Sequence, residues 1–241
     1  MMHFISLIRA SLMAVIIAFI VSSSDAATQY VDGATIFGSC ADVAIQASTA
    51  ISFNGVETHV VCGDVCISPG TSMTGISVLG ENYTKQVNTE LAMNCASDAL
   101  TAYGSLKGLN CTNLLADSDL SGVTLSPGVY CTGSGVFTLK ATNLTLDAQG
   151  DSNAQFIFQM ATTLITSVNT NMILVNGAQS NNAYWQVGSS ATLGDNSYFI
   201  GQLLAYASIT VGPTANVTGR LFAQAAVTCS GANAINLSGL C

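Results

Sequence analysis

The sequence predicts a mostly-β chain coiled into a β-solenoid with one long α-helix alongside, on three observations. The first is a fixed period. Ala191-Thr192-Leu193-Gly194, Ile209-Thr210-Val211-Gly212 and Val227-Thr228-Cys229-Ser230 follow one another at eighteen-residue intervals. In the same register Trp185 aligns with Leu203 and Leu221, Val187 with Ala205 and Ala223, and Phe199 with Val217 and Ile235. Such a period suits one coil per repeat, with coils stacked at the inter-strand spacing of ~4.8 Å so that like positions become ladders. The second observation is alternation. Ala191, Leu193, Ile209, Val211, Val227 and Cys229 are expected to point inward, and Thr192, Thr210 and Thr228 outward. On the next strand Phe199, Val217 and Ile235 point inward; Tyr198, Ile200, Asn216, Thr218, Ala234 and Asn236 point outward. The third is one interruption. Over about residues 88–106, Leu91, Cys95, Ala99, Tyr103 and Leu106 recur at helical spacing.

In chain order, residues 1–26 read as a secretory signal. Arg9 precedes an apolar run over 10–21, and Ser24-Asp25-Ala26 offers small residues for cleavage after Ala26. A secreted, extracellular protein is therefore expected, with a single domain over 27–241, a length of 241 − 26 = 215 residues. Short strands are expected at 43–45, 51–53 and 60–65, and Pro69-Gly70 marks a turn. The helix is capped by Thr89 or Asn88 and stopped by Gly108. Residues 111–120 read as a polar connection, and from Gly122 onward the chain is strands. Two longer coils centre on Leu144-Thr145-Leu146 and Met172-Ile173-Leu174.

Composition narrows function. The net charge is −8, only 7% of residues are charged, and the basic residues after Ala26 are Lys85, Lys107, Lys140 and Arg220. That leaves no electrostatic footprint for nucleic acid or anionic membrane. No second long apolar stretch follows the signal, and a monomer is expected. Polar surface must come from Thr, Ser, Asn and Gln. Cys40, Cys62, Cys66, Cys95, Cys111, Cys131, Cys229 and Cys241 form an even set behind a secretory signal, which predicts disulfides. Proximity suggests Cys95 with Cys111 and Cys229 with Cys241, although eight cysteines permit 105 pairings. Cys62-x-x-x-Cys66 has no matching second pair, and His59 is the sole histidine after the signal, so neither metal nor cofactor is expected. Sequons place candidate N-glycans at Asn82, Asn110, Asn143, Asn216 and Asn236. No Ser-His-Asp set, nucleophile elbow or phosphate loop occurs, so no enzyme activity is expected.

Several strings carry a resemblance. They are Asp64-Val65-Cys66-Ile67-Ser68-Pro69-Gly70-Thr71-Ser72-Met73-Thr74-Gly75, Gly122-Val123-Thr124-Leu125-Ser126-Pro127-Gly128-Val129-Tyr130, Phe156-Ile157-Phe158-Gln159 and Val175-Asn176-Gly177-Ala178-Gln179. The run 184–194, Gly219-Arg220-Leu221 and Ala225-Ala226-Val227-Thr228 complete the set. Together they resemble the large microbial ice-binding protein family across roughly residues 30–237. The resemblance implies a discontinuous right-handed β-solenoid (β-helix) of triangular cross-section, with the N-terminal coil stacked beside the C-terminal ones. It also implies adsorption to an ice crystal surface through a helix-free face. Two candidate rows follow. One is Thr192, Thr210 and Thr228, flanked by Ser190 and Ser208. The other is Asn196, Thr214, Asn216 and Thr218. The second is slightly favoured, because Pro213-Thr214-Ala215-Asn216 resembles the family's ice-face wording, while a glycan on Asn216 would roughen it. The alternative reading is an extracellular structural or adhesion module binding polysaccharide or matrix protein.

Overall fold

The computed structural model describes residues 31–32 and 35–237, without the side chain of Ile76. The expected signal (1–26) and Cys241 lie outside the described residues. Strands pair in parallel throughout and build three walls. The helix-bearing wall runs through Asn113–Leu115, Gly128–Thr132, Phe156–Met160 and Ala183–Val187. It continues through the second halves of Tyr198–Ala205 and Asn216–Ala223, then through Val43–Ala47, Asp64–Ile67 and Lys85–Val87. Leu221 pairs with Ile45 and Ala223 with Ala47, so the first coil of the chain stacks on the last and the solenoid is discontinuous. A second wall stacks Phe137–Leu139, Leu164–Thr166, Ala191–Leu193, Ile209–Val211 and Ala226–Cys229, followed by the starts of Ala50–Cys62 and Ser72–Leu79. The third holds Thr124–Leu125, Leu144–Asp147 and Met172–Val175 at one end. At the other it holds the first half of Asn216–Ala223, Ala234–Asn236 and the later parts of the two long N-terminal strands.

Alternation places the core. Trp185, Leu203 and Leu221 are fully buried in one column, with Val187, Ala205 and Ala223 in the next. Large and small residues thus share each layer, as dense packing requires. The Trp185 ring stacks on Phe158 at 3.8 Å and 7°, and its Nε1 donates to the Ile200 carbonyl at 3.0 Å. Corners need glycine where coils touch. Gly201 (φ 119°) and Gly219 (φ 144°) are register partners, and a Cβ on Gly219 would lie 1.9 Å from the Gly201 oxygen.

Local readings shift in four places. Ile200, expected outward, is buried at 5% exposure, because it sits beside the Gly201 corner where alternation stops assigning sides. The second N-terminal strand does not stop at 53 but runs from Ala50 to Cys62. The polar connection contains a strand, Asn113–Leu115, which Gly128–Thr132 recruits to the wall. The helix, Glu90–Lys107, is capped by Thr89, whose hydroxyl accepts from the Ala92 N–H at 3.3 Å. Its buried stripe is Ala92, Cys95, Ala99, Ala102, Tyr103 and Leu106, with Leu91 only half-buried. Gln159 finishes its far end by donating to the Leu106 and Leu109 carbonyls at 2.7 and 2.9 Å.

Disulfides join Cys40 to Cys95 and Cys111 to Cys131, not Cys95 to Cys111. The first pins the N-terminal turn to the helix; the second pins the segment after the helix to the solenoid. Cys62 is also disulfide-bonded. Cys66 and Cys229 are free, which corrects their assignment as disulfide partners and the pairing of Cys229 with Cys241. Cys229 points inward between Val211 and Phe53, and Cys66 packs beneath the helix; each serves as a small apolar side chain. Burial pushes both thiols up to about 12, with Asp64 adding to the effect at Cys66. A maleimide at pH 8 should therefore leave Cys66 and Cys229 unmodified in the native protein and label both in denaturant. Rapid labelling of either in the folded state would contradict this packing.

Candidate functional site

On the second wall the register is continuous from end to end. Thr192 pairs with Thr210, and Thr210 with Thr228. The row then passes to Ser52 and Thr74 in the N-terminal strands. In the other direction it passes to Ile165, Thr138 and, through an isolated bridge, Asp119. Eight coils thus contribute one outward residue each, a file of roughly 34 Å at ~4.8 Å per coil. The helix packs against strands of the first wall and leaves this file uncovered. Thr192, Thr210 and Thr74 are exposed, Thr228 and Ser52 half-buried, and Ile165 is 45% exposed.

Inside the file the backbone is fixed, and three threonine hydroxyls stay unpaired among the described residues. Beneath it lie Ala191 and Leu193, Ile209 and Val211, Val227 and Cys229, all buried. Beside it, Ser190 Oγ accepts from the Ser208 N–H at 3.3 Å, and Ser208 Oγ accepts from the Ala226 N–H at 3.4 Å. The two flanking serines therefore lock neighbouring coils together. Thr74 Oγ1 donates to Ser52 Oγ at 3.4 Å. The hydroxyls of Thr192, Thr210 and Thr228 form no hydrogen bond with a described residue. Charge enters only at one end, where Lys140 and Asp119 approach to 3.8 Å. Burial works to raise the Asp119 carboxyl, but hydrogen bonds from Ser121 and the Lys140 N–H, with the Lys140 charge, hold it below the usual range.

The second predicted row divides. Asn196 (φ 52°) and Thr214 (φ 59°) stand in left-handed backbone at a corner, in line with Asn169 and Ala232. There Asn196 Nδ2 donates to Asn169 Oδ1 at 2.6 Å, and the Thr214 hydroxyl donates to the Pro213 carbonyl at 2.6 Å. Asn216 and Thr218 lie around that corner on the third wall, opposite Tyr198 and Ile200. Thr218 Oγ1 is 2.7 Å from the Tyr198 hydroxyl, and Asn216 Oδ1 accepts from the Ala234 N–H at 3.1 Å. The four residues therefore form no single row. None of the five sequon asparagines is on the threonine wall. Asn216 and Asn236 are on the third wall, and Asn143 opens its strand Leu144–Asp147. Asn82 lies in a turn after Ser72–Leu79, and Asn110 follows the helix. Sequence reasoning missed Ser52, Thr74, Thr138 and Ile165, whose coils differ in length from the eighteen-residue repeat.

Parallel coils, one helix-covered wall and a bare wall bearing an unbroken row of short side chains define a rigid surface-presenting β-solenoid. Sequence makes the assignment closer: a family profile described as Ice-binding-like matches residues 45–235, and the chain belongs to that family. It is 34% identical over 213 residues to the ice-binding protein of Nostoc sp. (strain HG1), covering 88% of this chain and 77% of that one. Identity to the ice-binding protein of Flavobacterium frigoris (strain PS1) is 32%, over 79% of this chain and 72% of that one. The crystal structure of an ice-binding protein from the Antarctic ascomycete Antarctomyces psychrotrophicus superposes with a TM-score of 0.78 at 32% identity, over 84% of this chain and 98% of that one.

Proposed function

We propose that this protein is secreted and adsorbs, as a monomer and without catalysis, to the surface of ice crystals through the file from Thr74 to Thr138. The observation that carries the reading is the unbroken register Thr74–Ser52–Thr228–Thr210–Thr192–Ile165–Thr138 on a wall free of helix. Membership of a family whose relatives are ice-binding proteins supports ice as the partner. A single hydroxyl gains only about 1 kcal/mol net against water. Adsorption must therefore sum many weak contacts made at once, and a surface already ordered loses little entropy in making them. Coil stacking supplies the spacing, and the flanking serine bonds supply stiffness. The preference that sequence gives to Asn196, Thr214, Asn216 and Thr218 is dropped, since a corner separates them and Asn216 is a potential glycan site. Glycans on the sequons would leave the threonine wall bare.

At micromolar concentration the purified protein should facet growing ice crystals and slow recrystallisation of a polycrystalline film. Round crystals together with unslowed coarsening would overturn the reading.

A further inference from the structure

A groove of about 550 Å³ opens where the C-terminal end of the helix meets the helix-bearing wall. That volume lies within the range of small-molecule sites. Its lining differs from the threonine file. Tyr103 and Tyr206 bring their rings to 5.6 Å at 39°, and Tyr206 is 58% exposed, so one ring face is open. Gln186, 3% exposed, lines the groove together with Tyr103. Gln159 has both its described hydrogen bonds on Nε2, which turns its Oε1 into a spare acceptor. Thr132 adds a hydroxyl that also contacts Ser134 Oγ at 2.6 Å. Lys107 supplies the one cation, and neither described salt bridge involves it.

An open aromatic face beside amides and a hydroxyl suits a sugar ring, whose C–H face stacks and whose hydroxyls hydrogen-bond. The charge narrows the class. Lys107 matches one carboxylate. The helix C-terminus carries partial negative charge, which disfavours a dense dianion such as phosphate more than a singly charged carboxylate. The net charge of −8 further limits a polyanion to a short stretch. We propose that this groove binds one uronate unit of an acidic polysaccharide, with its ring on Tyr206 and its carboxylate on Lys107. The protein then carries a second attachment surface, separate from the threonine file.

Calorimetric titration of the full chain with a trisaccharide of galacturonate, against the neutral galactose trisaccharide, tests this. The acidic sugar should bind at about millimolar affinity and the neutral one about tenfold more weakly. Lys107→Met should weaken only the acidic sugar, by about tenfold, and Tyr206→Ala should weaken both. Both residues are exposed, so the variants should keep the wild-type circular dichroism; Lys107→Met should also keep wild-type ice shaping. Three results would each overturn the proposal: no heat with galacturonate, equal affinity for the two sugars, or wild-type binding by both variants.

Discussion

Replacing Thr210 by Tyr is expected to raise at least about tenfold the protein concentration needed for a given thermal hysteresis. Thr210 occupies the middle of the file, with Thr192 and Thr228 as its register partners. It is exposed, and its hydroxyl makes no described hydrogen bond within the protein. A tyrosine there would stand above its neighbours and hold the lattice off them, so many contacts would be lost together. Central positions of a contact surface characteristically carry such concentrated effects. The same substitution at Thr145, on the third wall in register with Thr124 and Ile173, should leave activity at the wild-type level. Neither change touches the core, so thermal unfolding should be unmoved. Undiminished hysteresis in a folded Thr210→Tyr protein would remove this wall as the site.

The largest loss of stability is expected from Trp185→Ala, about 3–5 kcal/mol. The side chain is fully buried, lies flat against Phe158 and contacts Phe199 at 5.5 Å between centroids. Its removal opens a cavity between rigid coils that cannot collapse, and it strips the Ile200 carbonyl of its donor. For a chain of this size the melting temperature should fall on the order of 10 °C. Trp185→Phe keeps the stack and loses the hydrogen bond, so it should cost about 1–2 kcal/mol. A loss below about 1 kcal/mol for the alanine variant would mean that Trp185 is not the keystone of the core.

Residues show which parts of this organisation were legible. From Trp185 to Ile235 coils have equal length, so one register aligned Trp185 with Leu203 and Leu221 and placed them inside. Leu144-Thr145-Leu146 and Met172-Ile173-Leu174, read as the centres of two longer coils, pair with each other in register. The helix was legible because its spacing broke the alternation. The extension of the file was not. Thr138, Ile165 and Thr192 are separated by 27 residues rather than eighteen, because corner loops in those coils are longer. Loop length is free to vary at a solvated corner, and it erases a fixed period without disturbing the ladder. Ser52 and Thr74 lie more than a hundred residues from the coil they continue, since discontinuous stacking sets neighbours by docking rather than by order. Disulfide pairing was illegible for the same reason: Cys40 and Cys95 meet only once the helix folds back on the wall. An even count of cysteines also concealed that Cys66 and Cys229 are apolar packing. Alternation failed to sort the second candidate row, because Asn196 and Thr214 adopt left-handed backbone at a corner that hydrophobic pattern does not reveal.

Partitioning into slowly grown ice measures face assignment most directly. The wild-type protein should concentrate in the solid. A Thr192→Tyr/Thr210→Tyr/Thr228→Tyr protein should remain in the liquid, and an Asn216→Tyr/Thr218→Tyr protein should enter the ice as the wild type does. Exclusion of the third-wall variant, with entry of the triple variant, would contradict adsorption through the threonine file.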